Sequence, residues 1–551
     1  MSFPFLNKLK TLRLTSNSTL HQSSVIMVLL TILYFYNFHV NDIWTPNESF
    51  YAESVREMFE SGNFLDIQYN YEARYNKPPL TYWAIAASAT VFGLNEFSIR
   101  LPIVLMALGS IWLTYLLGKD LYGQKGGLYA MIIYGLGLQL LAVKQYASPE
   151  IPLTFFFTLT LFWFNRAYQQ RSNKLLGLSY LALGLTVLTK GFPYIIVIGG
   201  IVIFYLVLKN WQQWRTLLKE ILWLKLPLGV LIVGLIGLSW VIYMYLKDGD
   251  AFWEIYYRET FGRALEKKSK GLQPFFYIGV ISWSIIPYSL AFFFGIYYWI
   301  KNRASVSRIL FPIAWIVVML VIFTVSKGKI PTYIIQAHPA FALFLVPLFL
   351  ENNKLKVFTF LNMVMSAILI LGTGYLIVAL EMHWLFFLIP AIIGLLFATG
   401  FPSLDKEHFQ LLPFWAMFGF LVVFSSYLPQ LEDYRSYDKI GAVVKERQID
   451  AFTPLLLDAW IIHNLPYYTE RRAIRDQSTA MINDNAKEKE TLALLPLAHL
   501  AEIDFSYDIL WQGLIYDFAS ESQFFKFVMA TNEAKKGNEE KFATYVLIHK
   551  P

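Results

Sequence analysis

Thirteen apolar runs of spanning or near-spanning length divide this chain, at about 24–40, 100–118, 127–143, 151–168, 174–190, 192–208, 222–246, 275–300, 308–325, 331–350, 356–380, 384–402 and 410–428. Runs this long and this frequent fit helices surrounded by lipid. Of the 551 residues 56% are hydrophobic and only 15% charged, far from a soluble composition. The chain is therefore predicted to be an all-α polytopic membrane protein. Its net charge of +7 comes from Lys and Arg set between the apolar runs, which suits cytoplasmic loops and gives no stripe for nucleic acid. With no cysteine, disulfides, thiolate chemistry and Cys-ligated metals are excluded. Lys8, Lys10 and Arg13 precede the first run and no small-residue cleavage site follows it, so that run reads as an uncleaved signal anchor.

Charge sets the topology. A fourteenth apolar stretch, 79–93, has only fifteen residues and opens on two prolines. If it does not cross, the segments predicted to be cytoplasmic hold 18 Lys or Arg against five Asp or Glu. If it crosses, every later loop inverts. The expected arrangement is a cytoplasmic N-terminus (1–23), a membrane domain (24–428) and a polar tail (429–551) on the outer side. The outer side then receives a first large loop (41–99) with interfacial helices and a second (247–274). The tail mixes strand-like TPLLLDA, YDILWQGLIYDF and ATYVLIHK with helix-like stretches, and reads as a small α/β domain.

The interval 41–80 is too long for a simple connector and carries seven acidic side chains against three basic ones. Within it Thr45-Pro46-Asn47-Glu48 reads as a helix start, with Thr45 as N-cap. Glu48 either completes a capping box or, with Asn47, faces a reacting centre at the membrane surface. Ser148-Pro149-Glu150 repeats the device at the head of a span, where a carboxylate is favoured whatever its task. Lys77, between Asn76 and Pro78-Pro79, has a stiff mount suited to aiming an ammonium at a phosphate. Further cations are expected outside: Arg74, Lys144, Lys190, the 247–274 loop with Arg258, Arg263, Lys267, Lys268 and Lys270, and the pair Lys327 and Lys329 near Tyr333. They pair with lipid headgroups and local acids, or they form a pocket for a lipid-borne phosphate. No Walker loop, dinucleotide fingerprint, nucleophile elbow or metal-ligand cluster is present in the sequence.

In order along the chain, WTPNESFYAESVREMFESGNFL, NKPPLTYW, NEFSIRLPIVL, SPEIPLTFF, LTKGFP and SKGKIPTYIIQAHP resemble the signature of bacterial membrane glycosyltransferases of the GT-C fold. The chain is most similar to the 4-amino-4-deoxy-L-arabinose transferases that modify lipid A, whose relatives include the protein O-mannosyltransferases. The resemblance covers roughly residues 24–430 and implies thirteen spans, with juxtamembrane helices in the first outer loop. It also implies an isoprenyl (undecaprenyl) phosphate sugar donor, inversion at the anomeric carbon, an acceptor at the outer face of the bacterial inner membrane, and membrane lipids as the other partners. By resemblance Lys77 binds the donor phosphate with Arg258 or Arg263, while Lys329 and Tyr333 line the same cavity with Tyr51 and Arg74. Asn47 and Glu150 take the positions of two acidic residues, with Glu48 as a further catalytic candidate. No cofactor is firmly implied, and a divalent metal is compatible.

The chain departs from that pattern. Asn47 stands where an Asp is usual, and an amide cannot accept a proton as a general base. Phe50 replaces an arginine before Tyr51-Ala52-Glu53. A phosphate acceptor is already ionised and chiefly needs positioning, whereas a hydroxyl needs a base worth about 10² to 10⁴ in rate. Unless Glu48 or Glu150 has taken over as base, the expected acceptor is therefore lipid A or a related phosphate-bearing glycolipid. The alternatives are transfer to polypeptide hydroxyls or, from another class, a lipid-linked sugar transporter. A transporter predicts repeated halves and mid-membrane charges, which the sequence does not display.

Overall fold

The computed structural model describes residues 16–262, 274–351, 356–400, 411–460, 462–517, 520–521 and 523–551. Helices dominate up to Tyr434, and a five-stranded sheet forms the end of the chain. Among the described residues seven helices are long and apolar enough to cross a membrane: Glu96–Gly135, Pro193–Asn210, Trp214–Gly237, Ser305–Val325, Pro331–Leu350, Lys356–Ala379 and Leu412–Tyr434. Shorter apolar helices accompany them at Thr19–Phe35, Leu80–Phe92 and Trp384–Leu395. The protein is thus a polytopic helical membrane protein carrying a small α/β unit. Pro331–Leu350 lies in the middle of the body, 89% of its apolar window being buried, whereas Trp214–Gly237 is 28% buried and turns its apolar faces outward.

Several expected runs are broken. The runs 100–118 and 127–143 join through Glu96–Gly135, which is kinked at Gly123, where φ is 80°. Gly118 and Gly126 pack closely beside this kink; a Cβ on either would lie under 3.0 Å from the other's carbonyl oxygen. The run 222–246 divides into Leu226–Gly237 and Ser239–Tyr257. The run 275–300 divides into Phe276–Ser284 and Ser289–Lys301 around Pro287, which cannot donate to a helical ladder. Hydropathy reports apolar length and is blind to such breaks.

The stretch 79–93 forms the helix Leu80–Phe92. Its 13 residues reach about 20 Å, short of a hydrocarbon layer about 30 Å thick. It packs on the following helix, Glu96–Gly135, whose start is fixed by a capping box between Asn95 and Ser98.

Ahead of it, β1 (Gln68–Tyr69) and β2 (Glu72–Ala73) make a hairpin turned by Asn70 and Tyr71, at φ 57° and 61°. Two central residues with positive φ match the right-handed twist of the strands. The terminal sheet, with β3 (Leu455–Leu457), β4 (Ala473–Ile474), β5 (Thr491–Pro496), β6 (Asp508–Tyr516) and β7 (Phe542–Lys550), has the order β4-β3-β5-β7-β6. β3 is parallel to β4 and β5, and the other pairs are antiparallel. The unbroken Leu455-Leu456-Leu457 is buried on both faces, as a parallel strand between two others should be. Strand β5 was not legible as a strand beside its apolar neighbours.

Candidate active site

The site is built on the chain between Asn41 and Glu48. Glu48 is fully buried and accepts four hydrogen bonds, from Arg100 Nε (2.8 Å), Arg100 Nη2 (2.7 Å), the Trp44 amide (2.9 Å) and the Ala147 amide (2.7 Å). A carboxylate so saturated has no lone pair left for an incoming proton, so Glu48 acts as an anchor. The expected capping box is corrected accordingly: helix Asn47–Ser61 follows Pro46, Glu48 reaches back to Trp44 instead of to Thr45, and the Thr45 hydroxyl caps nothing. Arg100 also donates to the Asn41 and Asp42 carbonyls at 2.7 and 2.9 Å, which locks the approach to the helix.

The bond from Ala147 to Glu48 fixes the loop that leads through Ser148 and Pro149 to Glu150, the first residue of helix Glu150–Gln170. Glu150 Oε1 lies 3.0 Å from Lys190 Nζ, with side chains 13% and 9% exposed, so this ion pair is largely enclosed. Lys190 ends helix Asn173–Lys190, and Gly191 at φ 109° turns the chain sharply beneath the Tyr256 hydroxyl. The Tyr333 ring stands 5.5 Å from Lys190 Nζ. Tyr194 lies within electrostatic reach of Lys190, Tyr333 and Glu150.

Tyr51, one turn after Asn47 on helix Asn47–Ser61, stacks on Tyr82 with centroids 4.5 Å apart. Burial, then Tyr82 and Glu150, push the Tyr51 hydroxyl well above the usual phenol range, while Arg74 opposes them. It therefore remains a neutral donor. Asn47 is exposed on the same face of the helix.

The structure brings Glu150 and Tyr333 together around Lys190, with Tyr51 within electrostatic reach of Glu150 and Arg74 within reach of Tyr51 and Tyr82. Lys77 is half-buried just after the hairpin, in the connection to helix Leu80–Phe92. Lys329 Nζ donates to the Ser326 carbonyl at 2.6 Å, closing its own turn. Lys144 turns inward to the Tyr34 carbonyl at 2.9 Å. Arg258 is exposed on the π-helical turn Arg258–Gly262, and Arg263 lies outside the described residues. Among the described residues no three His, Asp or Glu side chains are grouped to hold a metal ion.

The sequence reading counted Lys190 only among the outer cations of a possible phosphate pocket and assigned no site role to Arg100, Tyr82 or Tyr194. The available signal for Lys190 was a lysine ending an apolar helix before Gly-Phe-Pro.

A family profile described as dolichyl-phosphate-mannose-protein mannosyltransferase matches residues 22–256. An uncharacterized protein of Aquifex aeolicus is 34% identical over 528 residues, covering 94% of this chain and 97% of that one. The undecaprenyl phosphate-alpha-4-amino-4-deoxy-L-arabinose arabinosyl transferase of an Enterobacter species is 30% identical over 376 residues, 63% of each chain. The matched part thus spans just under two thirds of that named relative. In three dimensions the chain is similar to the crystal structure of ArnT from Cupriavidus metallidurans bound to undecaprenyl phosphate. The TM-score is 0.73 at 17% identity, covering 95% of this chain and 97% of that one.

Proposed function

We propose that the chain is a GT-C membrane glycosyltransferase that moves a sugar from undecaprenyl phosphate to a phosphate-bearing glycolipid such as lipid A at the periplasmic face of the inner membrane. The observation that carries this reading is the enclosed Glu150–Lys190 pair beside Tyr333, with Tyr51 within electrostatic reach of Glu150 and Arg74 within reach of Tyr51. It supplies a cation and neutral phenol donors suited to phosphates, and Asn47 itself, an amide, cannot act as a base.

The chemistry balances without such a base. A phosphate oxygen of the acceptor attacks the anomeric carbon as the bond from that carbon to the donor phosphate breaks. Inversion follows from attack opposite the leaving group, and undecaprenyl phosphate departs with the electron pair. Lys77 screens the charge that develops on it, while Asn47 and Tyr51 orient the acceptor by hydrogen bonds. Glu150 holds Lys190 in place, and in the complex it is free to exchange part of that contact for the amino or hydroxyl groups of the sugar.

The test is transfer from undecaprenyl-phosphate-linked aminoarabinose in proteoliposomes, offering lipid A, dephosphorylated lipid A and a serine-containing peptide in parallel. Transfer to lipid A alone is expected. Equal transfer to the dephosphorylated lipid, or transfer to the peptide only, overturns the phosphate acceptor and requires a base.

A further inference from the structure

A second group of cations lies where the first outer loop meets the C-terminal unit. Asn70, at the hairpin tip, donates to the Ala473 carbonyl at 2.9 Å and accepts from the Ala473 amide at 2.8 Å. Its side-chain amide thus imitates a neighbouring strand on β4, the edge of the sheet. This seam places Arg74, just after β2, near Arg475, just after β4.

Between them stands an aromatic mount. The Arg74 guanidinium lies 3.9 Å from the Phe50 ring centroid and 5.8 Å from that of Tyr69. The His463 ring is 5.2 Å from Phe50, and Arg475 Nη1 approaches both its nitrogens at 3.3 Å. The Tyr69 hydroxyl donates to the His463 carbonyl at 2.9 Å. Burial first, then Arg475 and Arg74, lower the His463 pKa to about 4, so the imidazole is a neutral acceptor at pH 7.

Among the described residues neither Arg74 nor Arg475 forms an ion pair, and the buried Arg74 Nε has no hydrogen-bond partner. Two acids on the helix that carries Phe50 are held by other partners, Glu57 through one of its two oxygens. Glu53 takes both forks of Arg56, at 2.8 and 2.9 Å, and Glu57 accepts from the Tyr71 amide at 2.9 Å. Two guanidiniums held in place by rings, one half-buried and one exposed, form an open anion site prepared before its ligand arrives.

We propose that Arg74 and Arg475 together bind the phosphate of a lipid-linked substrate, so that the C-terminal unit supplies part of the substrate site. The inference rests on the transferase reading for its ligand class. The phosphate belongs either to the acceptor glycolipid or to the polyprenyl donor, and binding distinguishes the two.

The experiment uses the full chain in phosphatidylcholine nanodiscs. Binding of lipid A, of dephosphorylated lipid A and of undecaprenyl phosphate is measured for wild type, Arg475→Gln, Arg475→Lys and Arg74→Gln. Arg475 is exposed, so its variants should fold, and circular dichroism verifies it. A loss on the order of tenfold is expected for one phosphorylated ligand in Arg475→Gln and Arg74→Gln, with partial retention in Arg475→Lys, which keeps charge but loses the fork. Loss confined to lipid A assigns the site to the acceptor, and loss confined to undecaprenyl phosphate assigns it to the donor. Unchanged binding of both in folded Arg475→Gln overturns the proposal. Because binding is read without transfer, a wild type that binds but never transfers removes the transferase reading alone.

Discussion

At the scale of single residues the Glu150–Lys190 pair makes the sharpest claim. Removing one member of an enclosed pair leaves the other charged without a partner, at a cost of about 3–5 kcal/mol, whereas removing both is often nearly neutral. Lys190→Met should therefore lower the unfolding temperature in detergent, and Glu150→Gln combined with Lys190→Met should recover most of it. Transfer should stay lost in the double variant, because the charge near the reacting centre is gone. Recovery of transfer along with stability would make the pair structural only. A second residue-scale prediction concerns pH. Burial, with acidic neighbours, raises the carboxyls of Asp42 and Glu57 to about 8. Unfolded, they titrate near 4, so unfolding between pH 4 and 8 releases protons. Their contribution to stability is fully present below about pH 4 and lost as pH rises through about 8. Thermal scans from pH 5.5 to 8.5 should show a decline that Asp42→Asn and Glu57→Gln flatten. The sequence displayed Glu150 because Ser-Pro-Glu is a local phrase; its partner 40 residues away belongs to another helix, and no local pattern announces such a pairing.

At the scale of elements, the apolar runs and the strand-like tail were legible because length and alternation are local properties. The hairpin at 68–73 was not. Its turn is Asn70-Tyr71, and a tyrosine at positive φ lacks the Asn-Gly signature by which such turns are read. What compensates lies about 400 residues further on, in the two hydrogen bonds to Ala473. Asn70→Gly offers a clean test, since glycine keeps the turn while removing the clamp. Hydrogen exchange of the Ala473 amide should accelerate in this variant, and the protein should lose about 1–3 kcal/mol. An unchanged exchange rate would mean that the seam is held by other contacts, such as the exposed Glu72–Arg472 pair at 2.9 Å. Within the polar interval, Glu48 was read from its position in a helix start, where a cap and an anchor look alike. Only Arg100, from another helix, separates the two.

At the scale of the whole molecule, the segment 41–45 is a peptide gripped from both sides. From the membrane body Arg100 takes the carbonyls of Asn41 and Asp42. From the far end of the chain Arg435, fully buried, takes the carbonyls of Asp42 and Ile43 at 3.0 and 2.9 Å and lies 4.1 Å over the Trp44 ring. Glu521 holds both Arg435 Nε, at 2.9 Å, and the Thr45 amide, at 3.0 Å, while the Tyr468 hydroxyl accepts from the Ile43 amide at 2.7 Å. The C-terminal unit thus satisfies backbone groups at the entrance to helix Asn47–Ser61, the helix that carries Asn47 and Tyr51. Deleting residues 429–551 would remove those partners from the 41–45 backbone and uncover the apolar groups packed around it, such as the Trp44 ring. A truncated chain should consequently express poorly or show no transfer, even though every other residue assigned near Glu150 and Lys190 is retained. Limited proteolysis of the full chain in nanodiscs should likewise fail to release a free C-terminal fragment, since a cut leaves the non-covalent grip intact. If the truncated protein were stable and transferred sugar at the wild-type rate, the grip on 41–45 would be dispensable and the C-terminal unit would be a separate module.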